Sequence, residues 1–401
     1  MGIAHRHVAI RPKSDGERSG RPECIAAPVE RDPAAGRQGR VTEITGGRVA
    51  SLDAFRGLTI AAMILVNNPG SWAYVYAPLA HAEWHGWTPT DLIFPYFLFI
   101  VGVAIPFSFS RRLAEGTDRG LLFGHVVRRS LILVGLGLAM RAVPDFDLFE
   151  MRLYGVLQRI GLVYCAAAAL YLWGSVRVRR AAVGALLLGY WALVAGDLSP
   201  DGNLGARLDR LIMGDRLWQG TWDPEGLLST LPAIATCLLG IFCGEGLRSG
   251  RSGGAISRHM WVAGAVLVVL GLAWDLVFPI NKNLWSSSYV LFTAGTALLL
   301  FGAMYWVIDV KRLRGGWLTP LVVYGMNSIA VFVASGMFAK MLARIPAGGG
   351  EALPLSAWLY ENAFRSWAGD YGGSLAFALA QVLFWLGLMW PLHRRGVHIK
   401  I

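Results

Sequence analysis

Two histidines four residues apart open the stretch HAEWHGWTPTDLIFPYFLFI, which runs from His81 to Ile100 and contains Asp91. Three chemistries compete for that pair. Imidazoles at i and i+4 can share a metal ion if the segment is helical, but HGWTP breaks a helix and no further His or Cys on that side joins them. Both rings can instead be interfacial side chains bonded to backbone. The third reading is a general base, because an imidazole with an unperturbed pKa near ~6.5 can take a proton from a nucleophile at neutral pH. Asp91 has two roles open to it. It can orient a histidine ring, or it can cap the apolar segment it begins; the cap is the preferred reading.

Other polar residues stand where a lipid environment makes them costly. Asp53 and Arg56 in SLDAFRGLTI are three apart and can satisfy each other on one helix face. Asn67 and Asn68 close the same apolar segment. An amide there can bond a substrate carbonyl or hydroxyl, or simply cap the helix. Arg159, in YGVLQRIGL, needs a partner such as a carboxylate or a bound anion. NKNLWSSSYV places Asn283 and Trp285, beside Asn281 and Lys282, at the mouth of a later segment, and YGMNSIAVF places Asn327 inside another. The glycine-rich GEGLRSGRSGGAISR carries Arg248 and Arg251. It does not match a Walker pattern, and it reads either as a phosphate cradle or as a flexible basic loop.

The elements that must hold these residues are membrane helices. Of 401 residues 55% are hydrophobic and 16% charged, and the mean hydropathy is +0.47. A bilayer-spanning helix takes roughly 20 mostly apolar residues. Such segments are expected near 53–68, 91–110, 124–142, 153–174, 181–197, 225–244, 259–279, 285–308, 317–340 and 374–392. The fold class is therefore all-α, a polytopic membrane protein with about 10–11 transmembrane helices, and its partner is the lipid bilayer. The 49 glycines suit close helix packing in lipid. LSAWLYENAFRSWAG reads as an amphipathic helix lying at an interface.

The net charge of +11 does not imply a nucleic-acid partner. Ten of the 37 Lys and Arg lie at or before Arg56, and most others cluster in alternate short loops, such as Arg111/Arg112, Arg177/Arg179/Arg180, Arg248/Arg251 and Lys311/Arg312/Arg314. That asymmetry puts both termini in the cytoplasm and His81 on the far side of the membrane. Residues 1–47 lack an apolar core and read as a disordered cytoplasmic tail, with residues 48–401 as the transmembrane domain. The four cysteines form no disulfide framework: Cys24 is in the tail and Cys165, Cys237 and Cys243 are in apolar runs. Polar groups from several spans then converge on an outer-facing chamber, which suits an enzyme or a sugar or glycan-fragment transporter equally.

SLDAFRGLTIAAMILVNNPG, HAEWHGWTPTDLIFPYFLFIVG, YGVLQRIGLVY, DPEGLLSTLPAIATCLLG, NKNLWSSSYV and YGMNSIAVF occur in that order. Together they resemble the heparan-α-glucosaminide N-acetyltransferase family and its bacterial relatives among the transmembrane acyltransferases, over residues 48–401. The segment before Val49 is short and polar, so no counterpart of the large lumenal domain of the animal enzymes is expected there. The resemblance implies acetyl-CoA as co-substrate, with its nucleotide toward the cytoplasm and its thioester toward the far side, and an amino sugar or related glycan as acceptor. It implies catalytic roles for His81 and Asn67 and ranks His85 below His81; from the residues themselves no metal is expected. Cytoplasmic arginines, Arg248 and Arg251 among them, would hold the phosphates of the nucleotide. It implies a bacterial-type inner membrane as the location, and members of the family can form homodimers.

Overall fold

The computed structural model describes residues 49–143, 146, 150–348, 353–397 and 399. The expected tail, residues 1–47, lies outside the described residues. Within them the chain is a bundle of apolar helices: α1 (Ala50–Asn67), α2 (Ile93–Ala114), α3 (Arg119–Ala142), α4 (Val156–Trp173), α5 (Val176–Val194), the short α6 (Leu204–Met213), α7 (Thr230–Leu247), α8 (Gly253–Asp275), α9 (Ser287–Tyr305), α10 (Leu318–Met326), α11 (Ser328–Arg344), α12 (Leu355–Leu359) and α13 (Ser366–Arg394). The described strand is confined to one antiparallel pair, in which Pro346 faces Pro354 and Ala347 faces Leu353.

All ten expected segments are helical, but they are not ten simple spans. Eight described helices are long and apolar enough to cross a membrane, and a ninth crossing results if α10 and α11 count as one. These two meet at Asn327 with a bend of 83°. The remaining segment is α5, whose first turns carry Arg177, Arg179 and Arg180. Its contacts show that it nevertheless runs the length of its neighbours. Near its start, Arg179 pairs with Glu245 at the end of α7 at 2.7 Å. Further along, the Leu187 carbonyl accepts from Ser287 at the start of α9 at 2.7 Å. The amphipathic stretch is also present, as α12 and the wider π-helical turn Tyr360–Arg365; the chain then turns into the last span at Gly369, whose φ of 71° suits glycine.

Glycine sets the tightest helix contacts. A methyl group added at Gly57 of α1 would lie 1.7 Å from the Leu321 carbonyl oxygen of α10, and one at Gly102 of α2 would lie 2.0 Å from that of Cys237 in α7. Lipid tails give helices little hydrophobic reason to associate, so backbones that can approach this closely supply the packing. The main core gathers Ile64, Phe94, Leu98, Leu157, Ile160, Val163 and Tyr289 from α1, α2, α4 and α9, with Trp285 from the turn before α9. α4 and α7 start at one end of the bundle, where Arg159 reaches Gly226, and α2 and α9 start there too, where the Tyr289 hydroxyl donates to the Asp91 carbonyl. The opposite end carries Arg179, Glu245, Arg248 and Arg251.

Candidate active site

The residues from Asn68 to Thr88 form an irregular cover over the first of these ends, tied down at several points. Gly70 N donates to the Ser374 carbonyl at 3.2 Å and Gly86 N to the Ile280 carbonyl at 2.8 Å. The Trp84 indole donates to the Leu198 carbonyl at 2.8 Å and packs edge-on against Trp222. Thr88, Pro89 and Asp91 then start α2. Thr88 N and Oγ1 donate to Asp91 Oδ2 at 3.0 and 3.2 Å, and Pro89 occupies the first helical position, where its missing N–H costs nothing.

The N-cap is Thr88, not Asp91 as expected; Asp91, three residues on, accepts from the Thr88 N–H and completes a capping box. It also does what the sequence made the lesser reading. Its other oxygen, Oδ1, lies 2.7 Å from His81 Nδ1. One carboxylate both opens α2 and orients a histidine, with Oδ2 also accepting from Ala82 N at 3.0 Å. The Asp91 side chain is 1% exposed and that of His81 46%. A carboxylate only accepts, so Nδ1 carries a proton, and in the neutral ring Nε2 is the nitrogen with the free lone pair.

Lys282 completes the group. Its Nζ lies 2.9 Å from His81 Nδ1, 3.2 Å from Nε2 and 3.4 Å from Asp91 Oδ1. Burial pushes the Lys282 ammonium below the usual lysine range, and the Asp91 carboxylate opposes that. The loop that carries Lys282 is internally bonded. Trp285 N donates to the Lys282 carbonyl at 3.0 Å, Leu284 N to Asn281 Oδ1 at 2.8 Å, and Asn281 N to Ser286 Oγ at 3.0 Å. Trp285 closes the turn with φ at 53°, a conformation bulky side chains rarely adopt. Sequence reading set Lys282 beside Asn283 and Trp285 without giving it a role. The available signal was a lone cation in a polar run bordering a span.

His85 is separate from this group. Its Nδ1 lies 3.3 Å from the Asn281 amide nitrogen. The two histidines thus contact different residues of the same loop and do not face a common point as metal ligands would. Asn67 stands exposed at the end of α1, and α1 touches the Pro89–Leu92 turn that carries Asp91. Its neighbour Asn68 bonds back to the Ile64 carbonyl at 2.7 Å, so of the two it is Asn68 that caps the helix.

Several other expected site residues have structural partners. Arg159 is 1% exposed. Among the described residues no carboxylate contacts it; it donates to the Gly226 carbonyl at 3.0 Å and to the Ser229 hydroxyl, and its guanidinium lies 5.1 Å from the Trp285 ring centre. The nearby Asp223 and Glu225 are bonded to Arg152 instead. Arg159 and Trp285 thus buttress the Lys282 loop from below. Asn283 lines a hollow of about 10 Å³ with Trp84, Asp209 and Trp222. Asn327 sits at the α10–α11 break and accepts from Ile399 N at 2.9 Å.

Asp53 and Arg56 do not join His81. They pair at 3.4 Å near the start of α1, and the fourteen residues from Asp53 to Asn67 rise roughly 21 Å along the helix. The expected single chamber is therefore divided between two ends. A cavity of about 290 Å³ lies between Arg56, Arg129, Tyr164 and Ser328. A larger one, about 780 Å³, is lined by Arg180, Arg248, Arg251 and His259 at its rim and by Leu239, Leu267 and Leu298 deeper in. The sequence pair Arg248 and Arg251 therefore borders a real cavity rather than only a loop.

Residues 48–280 match the family model described as heparan-alpha-glucosaminide N-acetyltransferase, catalytic. The heparan-alpha-glucosaminide N-acetyltransferase of Homo sapiens is 30% identical over 359 aligned residues, covering 73% of this chain and 53% of that protein. The protein of the same name from Mus musculus is 30% identical over 378 aligned residues, covering 77% of this chain and 56% of that protein. The chain thus spans about half the length of the curated relatives it matches. Asn67, His81 and Asp91 fall within the matched segment, and Lys282 lies just beyond it.

Proposed function

The chain belongs to the heparan-α-glucosaminide N-acetyltransferase family, and on that premise we propose that it transfers an acetyl group from cytosolic acetyl-CoA to an amino sugar or related glycan on the periplasmic side of a bacterial-type inner membrane. The observation that carries this reading is the His81–Asp91 contact of 2.7 Å at one end of a membrane-helix bundle. Asp91 holds Nδ1–H, and Nε2 faces the acceptor. The acceptor amine attacks the thioester carbonyl carbon while Nε2 takes its proton. The C–S bond then breaks, and the imidazolium returns the proton to the CoA sulfur. The Asn67 amide, at the edge of the same end, is suited to donate to the developing oxyanion or to hold the sugar.

The donor enters from the other end. Arg248 and Arg251 are suited to the phosphates of CoA, because charge-assisted bonds to phosphate are among the stronger polar contacts. The apolar depth of that cavity, at Leu239, Leu267 and Leu298, suits an extended acyl-carrying arm. α7 is 18 residues, roughly 27 Å, so the arm must cover most of the bundle's height to bring the thioester to His81. Direct transfer and an acetyl-histidine intermediate both use this geometry; the second gives ping-pong kinetics. Both termini lie in the cytoplasm in this reading, in keeping with the arginine-rich loops.

The test is turnover by the purified protein in detergent, with acetyl-CoA and glucosamine or its oligomers, followed by free thiol release and product mass. Thiol release with an acetylated sugar, lost in His81→Ala, supports the proposal. Absence of acyl-CoA turnover with every amino sugar, together with passage of labelled sugar into proteoliposomes, would make the protein a transporter instead. Equal turnover in wild type and His81→Ala would remove the site.

A further inference from the structure

We propose that Lys282 is a positioning residue that keeps His81 unprotonated, so that the ring beside Asp91 remains a base at neutral pH. The need follows from the His81–Asp91 contact itself. A carboxylate 2.7 Å from an imidazole stabilises the imidazolium, and a ring that already carries its second proton cannot accept another. The Lys282 ammonium stands as close to the ring as the carboxylate does, at 2.9 and 3.2 Å from its two nitrogens. Being nearly equidistant from both, it lies beside the ring and not at the tip of one lone pair. It also lies 3.4 Å from the Asp91 oxygen that binds the ring. The positive and negative charges therefore largely offset each other at the imidazole, while Asp91 keeps its hold on Nδ1–H.

The surroundings support this placement. The Lys282 side chain is 17% exposed, so solvent screens it little. Its loop is fixed by the Asn281–Ser286 bonds and by Trp285, which is itself held on Arg159. The charged groups acting on the pair come from three elements: Asp91 from the turn before α2, Glu225 from the loop before α7, and Arg159 from α4; the titratable His85 of the covering segment reaches the same loop only through Asn281. Glu225 is bonded to Arg152, and Arg159 faces Trp285, so Asp91 and Lys282 are the two charges in contact with the ring. The sequence separation of 201 residues explains why no local motif announces the arrangement.

The charge effect on His81 can be read without turnover; its meaning for catalysis rests on the proposed acetyl transfer. The probe is diethyl pyrocarbonate, which modifies neutral imidazole, with the rate at each histidine followed by peptide mass across pH in the full-length protein. In Lys282→Met the His81 midpoint should rise by about one pH unit, and in Lys282→Arg it should stay within a few tenths of wild type. The His85 midpoint should hold in all three. The acid limb of the kcat/KM profile for acetyl transfer should move with His81. An unmoved His81 midpoint in Lys282→Met overturns the inference, even if wild type acetylates sugars. A shifted midpoint in a protein that acetylates nothing upholds the charge effect and sinks the reaction. Should Lys282→Met fail to fold, Asp91→Asn reads the other charge. With Lys282 kept and the carboxylate gone, the midpoint must fall, and an unchanged or higher value overturns the inference.

Discussion

The two ends of the helix bundle are built on opposite plans. At the His81 end polar atoms are wired to one another: Asp91 accepts from His81, Ala82 and Thr88, and the Asn281–Ser286 loop is bonded within itself. The hollow beside Asn283 holds only about 10 Å³. At the arginine end Arg248 and Arg251 border a cavity of about 780 Å³, and Arg248 rests on Phe107 at 5.5 Å. Reacting groups need geometry fixed before the substrate arrives, since misplacement by ~1 Å can cost ~10²-fold. An entry site for a large donor needs room. The contrast suggests that one end performs the chemistry and the other admits the donor.

Substitutions test that division, and the largest effect belongs to the wired end. His81→Ala should lower kcat by about 10²–10⁴-fold, the range of a lost general base, with helical content unchanged by circular dichroism. Asp91→Asn removes the ring's orienting partner and alters the α2 cap. We expect a kcat loss of roughly 10²-fold and a lower melting temperature, since a cap is worth about 1 kcal/mol. A change in one without the other would separate its two roles. Asn67→Ala should cost about 2 kcal/mol or more of transition-state stabilisation if its amide serves the oxyanion. A rise in acceptor KM alone would make it a sugar-binding group.

The open end should respond differently. Arg248→Gln with Arg251→Gln should raise the KM for acetyl-CoA about tenfold and leave kcat near wild type, because each lost charge-assisted bond is worth roughly 1.5–3 kcal/mol when buried and less at a solvent-open rim. A fall in kcat with unchanged KM would mean that the two ends are not divided as proposed. The smallest effect is expected from His85→Gln. It leaves the His81–Asp91–Lys282 group untouched, and activity should remain within about threefold, as for a residue outside the proton path. A loss matching that of His81→Ala would make the two histidines a functional pair.

Much of this molecule was legible in its sequence, for identifiable reasons. Hydrophobic length located every helix that crosses the bundle, because lipid demands an unbroken apolar stretch whatever the tertiary contacts. It reached α5 as well, expected near 181–197 although three arginines crowd the start of that helix. It missed one place where local chemistry overrides length. The 83° break at Asn327 lies inside an apolar run, and a single asparagine does not announce it. The His81–Asp91 contact joins residues ten apart, both visible in one motif, whereas the roles expected of His81 and Asn67 came from the family resemblance. Lys282 was not legible in either way, since folding brings it to His81 from the far side of seven helices. Asp91 was read as a cap because it opens an apolar segment, a local feature, whereas its bond to His81 requires the covering segment to fold back. Arg159 was expected to need a partner such as a carboxylate or a bound anion. Carbonyl and hydroxyl acceptors and a Trp face took its place, and no pattern along the chain distinguishes these partners.

The central claim, that an acetyl group passes from a donor at one end to an acceptor at the other, is tested most directly in sealed proteoliposomes of defined orientation. Acetyl-CoA is placed on the face that carries Arg248 and Arg251, and glucosamine on the face that carries His81. The account predicts N-acetylglucosamine on the His81 face and CoA thiol on the arginine face, with neither formed when the two substrates are exchanged. Equal product in both arrangements, or product formed only when both substrates share one face, would contradict it.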